Sequence, residues 1–334
     1  MKNYFALLLS VAVFAMGCGK EPVEKPMPDE PTPEVKYDKE MVATSLAGSA
    51  YRGESSVEGS YGYTVMLSEA GLGQDGEFKE DADYYIFDIY ASEGGSGDEV
   101  SIPNGEYLLD IESAMAEGSL SATFSALLST DGDTRRESFS EARIVVEDNS
   151  IEAYLTLSDG HKHHVRYDGT LVIPASTPTT STPLSTLSAN YNFDIEGGLF
   201  VGAYVGDIMS TGCNTCQVFL WEYLDLESGE ERGDTFQIDL QLPRGGTDIR
   251  GVYTVGDEEG RFVAGWAEDV GGQYMQQNSW YITADYATFA PLVSGMVIVE
   301  SQDLVEYTFI VDVVDDYGNS IRGVFRGSGE FMEW

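Results

Sequence analysis

Two stretches of this chain can be laid on one another without a gap. Val145-Val146-Glu147-Asp148-Asn149-Ser150-Ile151-Glu152-Ala153-Tyr154 falls on Ile298-Val299-Glu300-Ser301-Gln302-Asp303-Leu304-Val305-Glu306-Tyr307, an offset of 153 residues (145 to 298). Both run on through a polar turn into a segment ending aromatic-x-Gly, where Tyr167 and Gly169 match Phe325 and Gly327 at an offset of 158 (167 to 325). The extra residues are expected in that turn, where Asp159-Gly160 gives way to Asp315-Asp316-Tyr317-Gly318-Asn319, because turns absorb insertions. Fainter pairs carry the match backward: Ile86-Phe87-Asp88-Ile89 beside Gln237-Ile238-Asp239-Leu240, and Asn104-Gly105-Glu106-Tyr107 beside Arg250-Gly251-Val252-Tyr253. A chain that repeats itself in this way folds the same unit twice, and 334 residues leave each copy enough to bury its own core.

Inside each copy the pattern is strand after strand. Ile144 to Glu147, Ile151 to Ser158, His161 to Tyr167 and Thr170 to Ile173 are short runs rich in β-branched and aromatic residues, separated by Asp-Asn-Ser and Asp-Gly turns. Connections that short join antiparallel neighbours. Only Glu112 to Glu117 and the stretch near Thr283 to Phe289 read as helical, and both are short. The expected fold is all-β: two tandem antiparallel β-sandwich or barrel-like domains related by internal duplication. In the first copy Ile151, Ala153, Leu155 and Leu157 share a face. In the second Val305, Tyr307, Phe309, Val311 and Val313 do, which is the opposite parity under the ungapped match and calls for a bulge or a strand covered on both sides.

The ends and the middle have a different composition. Lys2 followed by the apolar run Phe5 to Met16 reads as a signal peptide over residues 1–17, too short to span a bilayer comfortably. Residues 18–39 are rich in Pro, Glu and Lys and read as an extended tether; residues 174–188, rich in Ser, Thr and Pro, read as an interdomain linker. The first β-domain is therefore placed at 40–173 and the second at 189–334.

Ala15-Met16-Gly17-Cys18 resembles the lipobox of bacterial lipoproteins, with the small Gly17 before the cut and Ala15 where leucine is commoner. That resemblance implies cleavage before Cys18 and acyl chains on it. Gly19-Lys20-Glu21 is similar to the signals that route lipoproteins of Bacteroidetes-type bacteria to the outer face of the outer membrane. With Gly160 to Tyr167 plus Gly169 and Gly318 to Phe325 plus Gly327, the chain resembles the surface lipoproteins of gut Bacteroidetes, whose anchor is followed by tandem β-domains. The resemblance implies an architecture, a membrane partner through the acyl chains and an outward-facing location, but no reaction. With 57 acidic against 18 basic residues the surface repels phosphate backbones and anionic lipid, so nucleic acid is not an expected partner.

Candidate chemistry is sparse. Cys213 and Cys216 form a CxxC followed by a strand-like run, so a local disulfide is expected rather than a redox helix. His161-Lys-His163-His164 holds every histidine of the chain, and His161 and His163 point the same way on a strand, as a metal pair would; a core role for His163 beside Val165 and Tyr167 is the rival reading. Asp131-Gly-Asp133, and Asp312 with Asp315, Asp316 and Asn319, put oxygen ligands in loops as Ca2+ sites do, without EF-hand spacing. Trp221, Trp266 and Trp280 are candidate platforms for a ligand, and no catalytic motif stands out. The expectation is a lipid-anchored binding or adhesion module for glycan or protein without a cofactor, with a surface hydrolase acting on glycans or peptides as the alternative.

Overall fold

The computed structural model describes residues 36–74, 76–132, 134–175, 183–270 and 273–333, with side chains left out at 268–270, 273–274 and 333. Cys18, the signal peptide and nearly all of the tether, the middle of the linker, Asp133 and Trp334 lie outside the described residues.

The first copy holds β1 (Lys39–Ala43), β2 (Ala50–Glu54), β3 (Tyr61–Ser68), β4 (Asp83–Ala91), β5 (Glu99–Ser101) and β6 (Gly105–Asp110). It continues through β7 (Ser119–Ser121), β8 (Ala126–Ser129), β9 (Arg135–Glu147), β10 (Ser150–Leu157), β11 (Lys162–Asp168) and β12 (Val172–Pro174). The second begins with β13 (Tyr191–Gly206), β14 (Asn214–Asp225), β15 (Glu230–Leu242), β16 (Gly251–Val255) and β17 (Arg261–Phe262). It ends with β18 (Trp266–Val270), β19 (Gln273–Gln277), β20 (Trp280–Thr283), β21 (Phe289–Glu300), β22 (Glu306–Asp315) and β23 (Ser320–Glu333). Neither short candidate helix forms: Ser113, Met115 and Tyr286 take positive φ, which breaks a right-handed turn.

The strands close into two barrel-like sheets. In the second copy the hydrogen-bonded circuit runs β13-β23-β22-β21-β20-β15-β14 and returns to β13. In the first, the ladder β1-β11-β10-β9-β8-β4-β3-β2 makes the same circuit, with β1 and β2 taking the two halves of the role that β13 fills alone. In each copy the first strand pairs in parallel with the last strand of the circuit, β1 with β11 and β13 with β23, a pairing across nearly the whole copy that short hairpin connections do not imply.

The registers match pair for pair. Thr64 faces Asp88 as Gln217 faces Asp239, and Ile86 faces Ala126 as Gln237 faces Trp280. A bulge follows Tyr51 in β2 as it follows Tyr204 in β13. Tyr107 faces Ile144 as Tyr253 faces Val297, which upholds the fainter of the sequence pairs. Each of these tyrosines donates its hydroxyl to the carbonyl four residues back, Tyr107 to Pro103 at 3.0 Å and Tyr253 to Ile249 at 2.8 Å. Tyr253→Phe and Tyr107→Phe should each destabilise by about 1 kcal/mol in thermal unfolding, the net worth of one buried hydrogen bond.

One detail of the alignment is corrected. Ile151 faces Val146 and Tyr167, while Phe309 faces Val299 and Phe325. Ile151 therefore corresponds to Phe309, and the insertion lies in the hairpin before β22, not in the turn after it. The later turns have the same length: Gly160 and Gly318 both adopt positive φ and bond back to Leu157 and Asp315. With the insertion moved, Ile151, Ala153, Leu155 and Leu157 lie on the core face in one copy as Phe309, Val311 and Val313 do in the other, and the conflict of parity disappears.

Each barrel has its own core, centred on Phe87, Ile144 and Val165 in one and Phe236, Phe309 and Phe325 in the other. β4 is buried on both faces: Tyr85, Phe87 and Ile89 point into the first barrel, whereas Tyr84, Ile86, Asp88 and Tyr90 point out yet remain covered. Met66, Tyr84, Ile86 and Leu128 pack there with Val252 and Met296 of the second copy, and Phe124 packs on Ile298, Ile310 and Val324. Tyr37–Trp334 is accordingly one compact unit.

The described end of the linker is bound rather than loose. Asp316 accepts from the backbone N–H of Leu184 and Ser185 at 2.6 and 3.0 Å, and Asp315 from the Ser185 hydroxyl at 2.5 Å. Asn190 then donates to the carbonyls of Arg52 and Glu54 in the first copy and accepts from the Ser320 N–H in the second, tying the copies together.

Candidate functional site

The residues that duplication does not explain gather at the seam. Asp88 and Asp239 are equivalent, but Arg52 stands where the second copy has Val205, and Asp312 and Arg322 stand where the first has Tyr154 and His164. These unmatched side chains meet. Asp88, fully buried on β4, pairs with Arg52 and accepts from Arg322 Nη1 at 3.0 and 3.1 Å and from the Tyr90 hydroxyl at 2.9 Å. Arg322 spends Nε and Nη2 on Asp312 at 2.7 and 3.0 Å, and its guanidinium lies 3.9 Å from the Phe124 ring centroid. Burial works against an ionised Asp312, but the Arg322 guanidinium outweighs it and holds the carboxyl below its ordinary range; the two carboxylates in turn hold Arg322 protonated.

Beside this cluster a cavity of about 310 Å³ opens between the barrels. Its floor is the outer face of the second barrel, where cross-strand pairing sets Asp312, Met296, Thr254 and Arg261 in one row. Met66 and Ile86 of the first barrel, with Leu72 and Phe78, form the opposite wall. A mainly apolar space with a few polar groups at a domain interface is the usual setting of a small-molecule site. Arg52 is taken by Asp88 and Thr64, and Asp312 by Arg322, so Arg261 is the cavity's one cation without a carboxylate partner among the described residues; its bond goes to the Thr254 hydroxyl.

Of the residues singled out from sequence, Asp312 alone among those described reaches this place. His163 is buried on β11 with Nδ1 2.9 Å from the Tyr85 hydroxyl, and burial, helped by Lys39, pushes its pKa down; this is the core role. His161 is exposed, with Nδ1 2.7 Å from Asp159, whose hydrogen bond pushes its pKa up. Asp131 is an exposed turn residue. Asp315 and Asp316 are buried and spend their oxygens on the linker and their own turn, whereas Asp312, expected in a loop, lies within β22 and spends its oxygens on Arg322. Among the described residues no group of three or more His, Cys, Asp or Glu is placed to hold a metal ion.

The expected disulfide is absent: Cys213 and Cys216 are free, buried thiols. Cys216 lies within extended β14 and faces the second core, where burial pushes its pKa to about 12, and Cys213 belongs to the preceding turn. The tryptophans are dispersed: Trp280 is buried with its N–H on the Gln277 carbonyl, Trp266 is exposed, and Trp221 is half-buried on the outside of β14 against Phe219. Sequence reasoning missed Arg52, Asp88, Arg261 and Arg322. The one signal was a charge inside Tyr84-Tyr85-Ile86-Phe87-Asp88-Ile89-Tyr90, since a carboxylate in a doubly covered strand needs a cation. No family model, curated protein or solved structure matches this chain.

Proposed function

We propose that the chain is a binding module, anchored through acyl chains on Cys18 at the outer membrane surface, whose ligand seat is the cavity at the seam. The observation that carries this reading is a space of about 310 Å³ walled by both copies and kept open beside a saturated ion cluster. Hydrolysis of a glycan would call for two working carboxylates flanking the substrate. The cavity offers one, Asp312, already bound by Arg322. A glycan strip on the second barrel is the second reading, favoured by Phe219 and Trp221, whose rings lie 5.8 Å apart at 18° on the outer face of β14.

A neutral apolar fluorophore, N-phenyl-1-naphthylamine, tests the seat. It should bind saturably at one site, and Ala50→Trp, which fills the cavity from β2, should abolish binding with the melting temperature unchanged. Absence of saturable binding, or equal binding by the filled variant, would refute the seat. A glycan array on the same protein reads out the second reading.

A further inference from the structure

We infer that the ligand of the seam cavity is an amphipathic anion, an apolar body carrying one oxyanion that sits against Arg261. The inference rests on the cavity being the ligand seat and adds the chemical class of what it takes.

Three guanidiniums, Arg52, Arg261 and Arg322, surround the cavity and its ion cluster against two carboxylates, Asp88 and Asp312. Elsewhere acids dominate, 57 against 18 in the whole chain, so a local excess of positive charge is against the trend of the sequence. The excess falls on one residue. Arg52 and Arg322 are consumed by the two aspartates, whereas Arg261, among the described residues, bonds only the Thr254 hydroxyl and keeps further N–H donors for a ligand. Arg261 stands at one end of the floor row, and Asp312 at the other end carries its own counter-ion. Between and above them the walls are Met66, Ile86 and Met296, with Leu72 and Phe78. An anion with an apolar body places its charge on the unpaired guanidinium, which forks onto two oxygens, and its body among the methionines. A cationic ligand would meet Arg261 head on, and a neutral apolar one would leave it unanswered.

The test compares two probes that differ by a single sulfonate, N-phenyl-1-naphthylamine and 1-anilinonaphthalene-8-sulfonate, on the full chain by fluorescence titration. The sulfonate is expected to bind about tenfold more tightly, the worth of a charge-assisted hydrogen bond, and the advantage should shrink at high salt. Arg261→Gln should remove the advantage while leaving the neutral probe unaffected. If the neutral probe binds as well as the sulfonate, or if Arg261→Gln weakens both equally, the anionic class is wrong and the seat survives. If the neutral probe does not bind, the seat itself falls, and this inference with it.

Discussion

Arg322→Ala destabilises the chain by about 3–5 kcal/mol, seen as a fall of roughly 10 °C in thermal unfolding. The size follows from what remains. Asp88, fully buried, keeps Arg52 but loses two hydrogen bonds, and Asp312 loses both of its bonds to the guanidinium. Uncompensated charge at a covered seam costs far more than a surface pair. Arg322→Lys retains charge but not the planar fork that spans two carboxylates and lies on the Phe124 ring, so it should recover only part of the loss. The pH dependence has a definite sign. Asp312 is depressed in the folded chain, so its contribution is complete above the unfolded carboxylate pKa near ~4 and is lost as pH falls through its lower folded value. Wild type should lose stability on acidification below about pH 4, and Arg322→Ala should lose less.

Asp239→Asn raises stability, by on the order of 2 kcal/mol at pH 8. Asp239 is the second copy's equivalent of Asp88, but among the described residues no arginine pairs with it. It accepts from Gln217 Nε2 at 3.1 Å, its Oδ1 has no hydrogen-bond partner among the described residues, and burial, opposed by the Gln217 and Gln237 amides, pushes its pKa to about 6. A raised carboxyl pKa reverses the sign found for Asp312. The ionised form is penalised in the fold, so the cost is absent below about pH 4, grows as pH rises, and is complete above about 6. Between pH 8 and pH 5 wild type should gain stability relative to Asp239→Asn, and the two melting curves should converge at the acid end. A constant difference across that range would mean that Asp239 does not titrate there. Both effects come from one equivalent position: the carboxylate is a clamp where Arg52 of its own copy and Arg322 of the other meet it, and a liability where no cation pairs with it.

The strands around residues 144–167 were legible because alternation is local: β-branched and aromatic residues on one face, Asp-Asn and Asp-Gly between runs. His163 could be placed in a core by analogy with Ile321, and the structure buries both. Three features were not legible. The place of the insertion depends on cross-strand register, and only the pairing of Ile151 with Tyr167 and of Phe309 with Phe325 fixes it. The parallel closure of each barrel joins residues at opposite ends of a copy, such as Met41 and Val165, with no local signal. The seam assembles Arg52, Asp88, Asp312 and Arg322 from four strands of two copies, and apart from Asp88 in its apolar strand none of them signals its partners. Tryptophan, CxxC and paired histidines drew attention as residue types with chemistry of their own, yet the cavity is built from methionine, leucine and a solitary arginine, which carry no motif.

Two equivalent barrels form one body through a shared buried ion cluster, and a double-mutant cycle on Asp88→Ala and Arg322→Ala tests this directly. The two positions lie 234 residues apart and belong to different copies, so only docking can couple them. A coupling of about 1–3 kcal/mol in equilibrium unfolding is expected, because after either substitution the remaining side chain keeps its partner in its own copy and has already lost its bonds across the seam. Strictly additive effects would show that the copies hang independently on their linker, and would contradict both the seam and the ligand seat built beside it.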